Sequence, residues 1–257
     1  MKILMQSIMS IILLFIGLLM HMFILAKRRN IVRHSFCVET RNPQDKVLSV
    51  FFISDIHRRK IDKHFIKKVK ANGSFDVVMI GGDLAEGGVP LSRIEQNVTS
   101  LAELGQLYFI WGNNDREVGE QAIRKIINQN NGIILDNKSA QISNHSQWVI
   151  CGTDDPSNRN VDVPNTVKNI SDFEYSIVAT HTPSLFRKVE EIVSPELLLA
   201  GHMHGGQIRF GKYGLHPLGE FVEKDGKARL ISNGYGTSLV PLRLGAHPES
   251  HIITINY

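Results

Sequence analysis

The chain of 257 residues is 42% hydrophobic and 21% charged, with 21 Gly against 9 Pro, which excludes a disordered tail protein, a collagen and a multi-span membrane protein. Its two cysteines, Cys37 and Cys151, exclude a disulfide-dense secreted scaffold and a Cys-rich zinc module. The net charge of +4 is concentrated: residues 1–41 hold six of the 29 Lys/Arg and one of the 25 Asp/Glu, so the remainder is near neutral and no nucleic-acid partner is expected.

Residues 3–26 carry no formal charge, and their only polar members are Gln6, Ser7, Ser10 and His21. About 20 apolar residues are enough for a helix to cross the hydrocarbon core of a bilayer. A cleaved export signal would have an apolar region of about 7–15 residues and end in small residues. This run is longer and ends Phe23-Ile24-Leu25-Ala26-Lys27. Residues 1–29 are therefore read as an uncleaved transmembrane anchor with a basic flank. Lys27, Arg28, Arg29 and Arg33 follow the span, against Lys2 and the amino terminus before it. The positive-inside rule then places a single-pass protein in the cell membrane with its catalytic domain in the cytoplasm, its basic cluster against anionic headgroups.

Residues 30–46, polar and containing Pro43, read as a linker. Residues 47–257 read as one domain. Apolar runs at 47–54, 75–80 and 106–111 predict strands, and helical spacing at 60–71, 91–104 and 116–128 predicts helices between and after them, a βαβαβα start. The second half is richer in strands, predicted at 132–135, 141–143, 147–151, 176–180, 197–200, 207–210, 229–232 and 251–255. A helix is predicted over 184–193.

Polar residues gather where these strands end: Asp55 and His57, Asp83, Asn113 to Asp115, His181, then His202 and His204. In open α/β sheets ligands sit beyond the carboxyl ends of the strands. Asp55/His57 and His202/His204 are each two residues apart, which on an extended chain points both side chains one way, so each pair is expected to chelate one site. Carboxylate, imidazole and amide without thiolate suit Mn, Fe or Zn. Seven candidates are too many for one tetrahedral site and fit two adjacent ions sharing a carboxylate. Glycines before Asp83, Asn113 and His202 are expected to let the backbone turn sharply. A lone histidine is more often structural, and His34, His64, His145, His216, His247 and His251 lack the strand-end setting.

Together these motifs, D-x-H, G-D, G-N-x-D, a lone His and G-H-x-H, resemble the calcineurin-like metallophosphoesterase superfamily. The extended G-H-x-H-G-G-Q at 201–207 is similar to a bacterial branch that often carries an N-terminal anchor or export signal. The tail 232–238, with Arg243, Pro248 and Glu249 beyond it, is also similar to that branch. The resemblance implies an α/β fold: a four-layer αββα sandwich with two central mixed β-sheets. It implies one metal on Asp55, His57, Asp83 and His204 and a second on Asp83, Asn113, His181 and His202, with Asp83 bridging. It also implies attack on phosphorus, in line, by a hydroxide lying between the two ions. Asn114 and Asp115 occupy the catalytic positions of the G-N-x-D motif. The usual histidine of that motif is Asn114 here, and an amide cannot deliver a proton at neutral pH. UDP-diacylglucosamine pyrophosphohydrolases carry Arg there. In this chain Arg58 and Arg116 are the candidate substrate contacts.

The resulting expectation is a membrane-anchored dinuclear-metal phosphoesterase acting on a phosphodiester or pyrophosphate bond of a phosphorylated small molecule or lipid-linked substrate. The competing expectation is a phosphoesterase-fold binding module at the membrane with little or no catalysis.

Overall fold

The computed structural model describes residues 1–39 and 46–257. Helix α1 (Lys2–Ala26) leads the chain, exposed along most of its length and long and apolar enough to cross a membrane. Only its last turns touch the domain, burying Met22, Leu25 and Ala26.

The described part of the expected linker is largely a strand. Asn30–Cys37 is strand β1. It pairs in parallel, residue for residue, with β14 (Glu249–Asn256). The segment carries no local strand signal because its partner lies at the far end of the chain. Pro43, which favours a linker, lies outside the described residues.

Then follow β2 (Val47–Ile53), α2 (Lys63–Lys70), β3 (Phe75–Gly81), α3 (Leu91–Ala102), β4 (Gly105–Ile110), α4 (Glu120–Gln129) and β5 (Ile133–Ile134). Local chemistry accounts for the helices. The Asp62 carboxylate caps α2 by accepting from Phe65 N at 2.9 Å. Phe65, Ile66 and Val69 of α2, Ile94, Val98 and Leu101 of α3, and Ile123, Ile126 and Ile127 of α4 form one buried stripe on each helix. The first sheet runs β1-β14-β2-β3-β4-β5, parallel except where β14 meets β2.

The second sheet is built from β6 (Lys138–Ile142), β7 (His145–Gly152), β8 (Tyr175–Ala179) and β9 (Leu197–Ala200). Helices α5 (Val163–Val167) and α6 (Phe186–Glu190) lie between its strands in sequence. After the short hairpin β10 (Arg209–Phe210) and β11 (Tyr213–Gly214), the chain adds β12 (Glu220–Lys224) and β13 (Lys227–Ile231), giving the order β12-β13-β9-β8-β7-β6.

Alternation along the strands divides the side chains between three cores. Phe51, Ile53, Val78 and Phe109 face α2, α3 and α4. Val50, Phe52, Val77 and Met79 meet Ile150, Ile177, Leu199 and Leu230 between the sheets. Val149, Val178 and Leu198 face α5 and α6. This is the expected four-layer αββα sandwich with two mixed sheets. The parallel strands β2, β3, β4, β8 and β9 all deliver their carboxyl ends to the candidate site.

Candidate metal centre

The loops leaving those strands are fastened to one another. Asp55 N donates to Gly82 O at 3.0 Å, Ile56 N to Asp83 O at 2.8 Å, and Gly201 N to His181 O at 3.0 Å. Across the two sheets, His202 N donates to the Asp55 carboxylate at 3.1 Å. The seven sequence candidates are thereby brought together.

Two overlapping groups result. In the first, the donor atoms of Asp55, His57 and His204 lie within 4.8 Å of one another; the second contains Asp55, Asp83 and His181. His57 Nε2 faces His204 Nε2 at 3.1 Å, and His204 Nε2 lies 3.3 Å from Asp55 Oδ1. Asp83 Oδ2 stands between the groups, 3.6 Å from His57 Nε2 and 3.5 Å from His181 Nε2. Asn113 and His202 extend the second group: Asn113 Oδ1 is 2.9 Å from His202 Nδ1 and 3.2 Å from His181 Nε2. His202 and His204 therefore face different groups, correcting the expectation that each i, i+2 pair serves one site. Buried imidazole nitrogens opposed at this distance, with carboxylates beside them and no thiol, form a donor set that fits divalent cations of borderline softness.

The backbone at these ligands is not extended. Asp55, His57, Asp83, His202 and His204 all have positive φ, between 49° and 71°. Such conformations disfavour non-glycine residues and persist only where surrounding contacts over-determine them. The pairs are thus aimed by left-handed turns, and the extended-chain geometry expected for them does not apply. The neighbouring glycines differ too. Gly82 has φ 84°, but Gly112 and Gly201 serve close approach, since a methyl on either would collide with the Asp83 or Asp55 carboxylate.

Residues 48–206 match the family model for calcineurin-like phosphoesterases. This chain belongs to that family. A Bacillus subtilis protein, YpbG, is 40% identical over 91% of this chain and 90% of its own length. The phosphodiesterase YaeI of Escherichia coli is 27% identical over 78% of this chain and 79% of its own. The structure of a 5'-nucleotidase precursor from Thermus thermophilus superposes with a TM-score of 0.51 at 12% identity, over 81% of this chain. That likeness is one of fold, and this chain spans about half the length of that nucleotidase.

As in other calcineurin-like phosphoesterases, clustered Asp and His residues here suggest a divalent-metal site. Its electrostatics suit one. Burial pushes the Asp83 carboxyl up, but the His181 and His57 rings and the Asn114 N–H outweigh it and hold that carboxyl well below the usual carboxylate range. Burial pulls His181 down, yet Asp83 and Asp55 lift it to about 10. Burial takes His204 down to about 4 against the pull of Asp55.

The residues around the seven behave differently from one another. Asn114 donates to Asp83 twice, from N at 2.9 Å and from Nδ2 at 3.0 Å. Asp115 is buried and accepts from Gly112 N at 2.8 Å, Asp83 N at 2.9 Å and Ala85 N at 3.1 Å. Burial and the neighbouring Asp83 raise its carboxyl to about 7. Arg58 pairs with Glu86 and is otherwise exposed. Arg116 is held away from the cluster, bidentate to Asp154 at 2.8 and 3.0 Å and paired with Glu120 at 2.9 Å.

Two groups escape sequence reasoning. Glu86 Oε2 lies 3.0 Å from His57 Nδ1, an ion-pair distance without hydrogen-bond alignment, which puts a carboxylate behind the ring. Arg243 is fully buried, donates to Gly236 O and Asn233 O at 2.7 Å, and has Nη2 3.1 Å from His204 Nδ1. Neither follows a strand-like run, so neither has a local signal; only the branch-like tail points to Arg243.

Proposed function

We propose that this protein is a membrane-anchored, dinuclear-metal phosphoesterase that hydrolyses a phosphodiester or pyrophosphate bond. The observation that carries the reading is Asp83 set between two donor groups, with His57 on one side and His181 on the other. Asp55, His57, Asp83 and His204 would hold one ion; Asp83, Asn113, His181 and His202 would hold the other. Two such ions supply a water of lowered pKa and offset the charge that builds on the phosphoryl oxygens.

The chain's own residues set the rest. Asn114 fixes the orientation of the Asp83 carboxylate and presents an amide where the family's pattern has a proton donor. Asp115, through its three N–H partners, holds the loops carrying Asp83 and Gly112, and we assign it a positioning role. Arg58, at the exposed edge, is the better placed of the two arginines to meet a substrate phosphate. With no acid at position 114, the site favours a leaving group that departs without a proton, which a pyrophosphate or an activated diester provides. Helix α1 supplies the anchor.

The test is hydrolysis of bis(p-nitrophenyl) phosphate by the full chain in detergent, stripped by chelator and reloaded with Mn. Activity restored by Mn and abolished in Asp55→Ala is expected. No Mn-dependent turnover would defeat the proposal.

A further inference from the structure

A groove of about 290 Å³ runs off the metal centre, lined by His202, His204, Met203, Ile208, Leu215 and Leu239. One end is the two candidate ligands, and beyond them Met203, Ile208, Leu215 and Leu239 give an apolar wall with Gln207, His216 and Ser238 set among them. Its rim leaves large apolar side chains in solvent: Leu239 is 98% exposed and Leu215 83%. Phe210, Tyr213, Leu218 and Val240, on the same two chain segments, are exposed as well. Single exposed leucines are ordinary, but an apolar cluster beside a site marks an interaction surface.

Leu239 is also strained, with φ 61°, a conformation unfavourable for leucine. Gln207, the last residue of the 201–207 motif, holds it there. Its Oε1 accepts from Ser238 N at 2.8 Å, and its Nε2 donates to Ser238 O at 2.9 Å and Val240 O at 3.1 Å. The clamp keeps an aliphatic side chain pointing into water against local preference.

The same loop meets α1. Arg243 N donates to Met22 O at 3.1 Å, and Arg59 donates to Lys27 O and Arg28 O at 2.7 and 2.6 Å. A helix of 25 residues is about 37 Å long and the hydrocarbon core about 30 Å thick, so roughly one turn remains outside it. The turn packed on the domain is the last, which would bring the segment leading into Arg243 close to the membrane surface. Lys60, Lys63 and Lys67 flank Arg29 at this junction and complement anionic headgroups.

We propose that this groove receives the alkyl chain of an amphiphilic phosphate ester presented by the membrane, with its phosphate delivered to the metal centre. The proposal rests on the phosphoesterase reading above and names its substrate class.

The experiment uses the full chain, Mn-loaded, in phosphatidylcholine vesicles containing phosphatidylglycerol. Two probes share one leaving group: methyl p-nitrophenyl phosphate and dodecyl p-nitrophenyl phosphate. Water adds to phosphorus, the bond to nitrophenolate breaks, and an alkyl phosphate remains. The dodecyl ester should be preferred in kcat/KM by about tenfold or more, and Leu215→Ser with Leu239→Ser should lower that ratio about tenfold. Turnover of the methyl ester with no chain-length preference overturns the groove assignment alone. So does a preference that survives in the double variant, since partitioning into the vesicle then accounts for it. Hydrolysis of neither ester overturns the phosphoesterase reading and this proposal with it.

Discussion

Asp83→Asn changes neither the volume nor the shape of the side chain, and removes the one charge both donor groups face. Asp83 is 2% exposed, with Oδ2 about equally far from His57 and His181, at 3.6 and 3.5 Å. Removing one partner from a buried charge pair typically costs about 3–5 kcal/mol. At about 1.4 kcal/mol per decade, at least one ion should bind roughly 10²- to 4 × 10³-fold more weakly. The substituted amide worsens this, because its NH₂ faces either Asn114 N or Asn114 Nδ2, both donors in the present arrangement. Mn titration by calorimetry, with metal content after exhaustive dialysis and hydrolysis in parallel, should show at most one retained equivalent and little turnover. Two retained equivalents at a near-normal rate would refute the placement of Asp83 at the centre of the site.

A reporter fused after Tyr257 should be active only if it folds in the cytosol, because Lys27, Arg28, Arg29 and Arg33 outnumber Lys2 across the span; activity of an export-only reporter would reverse this. Asn114→His should raise rates on poor leaving groups selectively, within the roughly 10²- to 10⁴-fold that general acid catalysis supplies. Equal slopes of rate against leaving-group pKa in wild type and variant would mean another residue already gives the proton. Arg243→Met strands the carbonyls of Asn233 and Gly236, at about 1–3 kcal/mol each. At about 2–4 °C per kcal/mol in a domain of this size, thermal unfolding should start roughly 5–20 °C lower, and an unchanged Tm would contradict the role given to Arg243. Burial, aided by His34 at 3.1 Å, lowers His251 from 6.5 to about 3. Between those values the unfolded chain binds the extra proton, so stability is present above pH 6.5 and falls with acidification by up to about 1.4 kcal/mol per pH unit. Denaturant titrations of metal-free protein from pH 7 to 4 should show this slope reduced in His251→Gln; identical slopes would exclude His251 as its source.

The strands that aim the ligands are legible because buried parallel strands are continuous apolar runs, and each ends in residues with metal-binding chemistry. β2, β3, β4, β8 and β9 fall within a residue or so of where the sequence pattern places them. What escapes is decided elsewhere in the chain. β1 reads as polar because its alternation makes sense only beside β14, and β12 is an edge strand whose residues are mostly exposed. The glycine at 112 reads as a turn residue, whereas its role comes from Asp83, 29 positions earlier. Spacing alone would send His202 and His204 to one site, and only the family resemblance assigns them to different ions; the structure sets both in left-handed turns facing different groups. Arg116 carries the right charge at the right place in sequence, and Asp154, from the second sheet's side of the molecule, takes it.

The position of β14 bears on how the protein is made. It is the last strand in this chain to be synthesised, yet it lies between β1 and β2, the first two. Until β14 is made, the first sheet has a gap where Ile252, Ile253 and Ile255 belong, with unpaired strand edges on both sides. Such edges recruit other chains. A nascent domain crowded among its copies would therefore depend on prompt synthesis of β14, and a ribosome stalled near residue 245 would leave a more hazardous product than one stalled before β2.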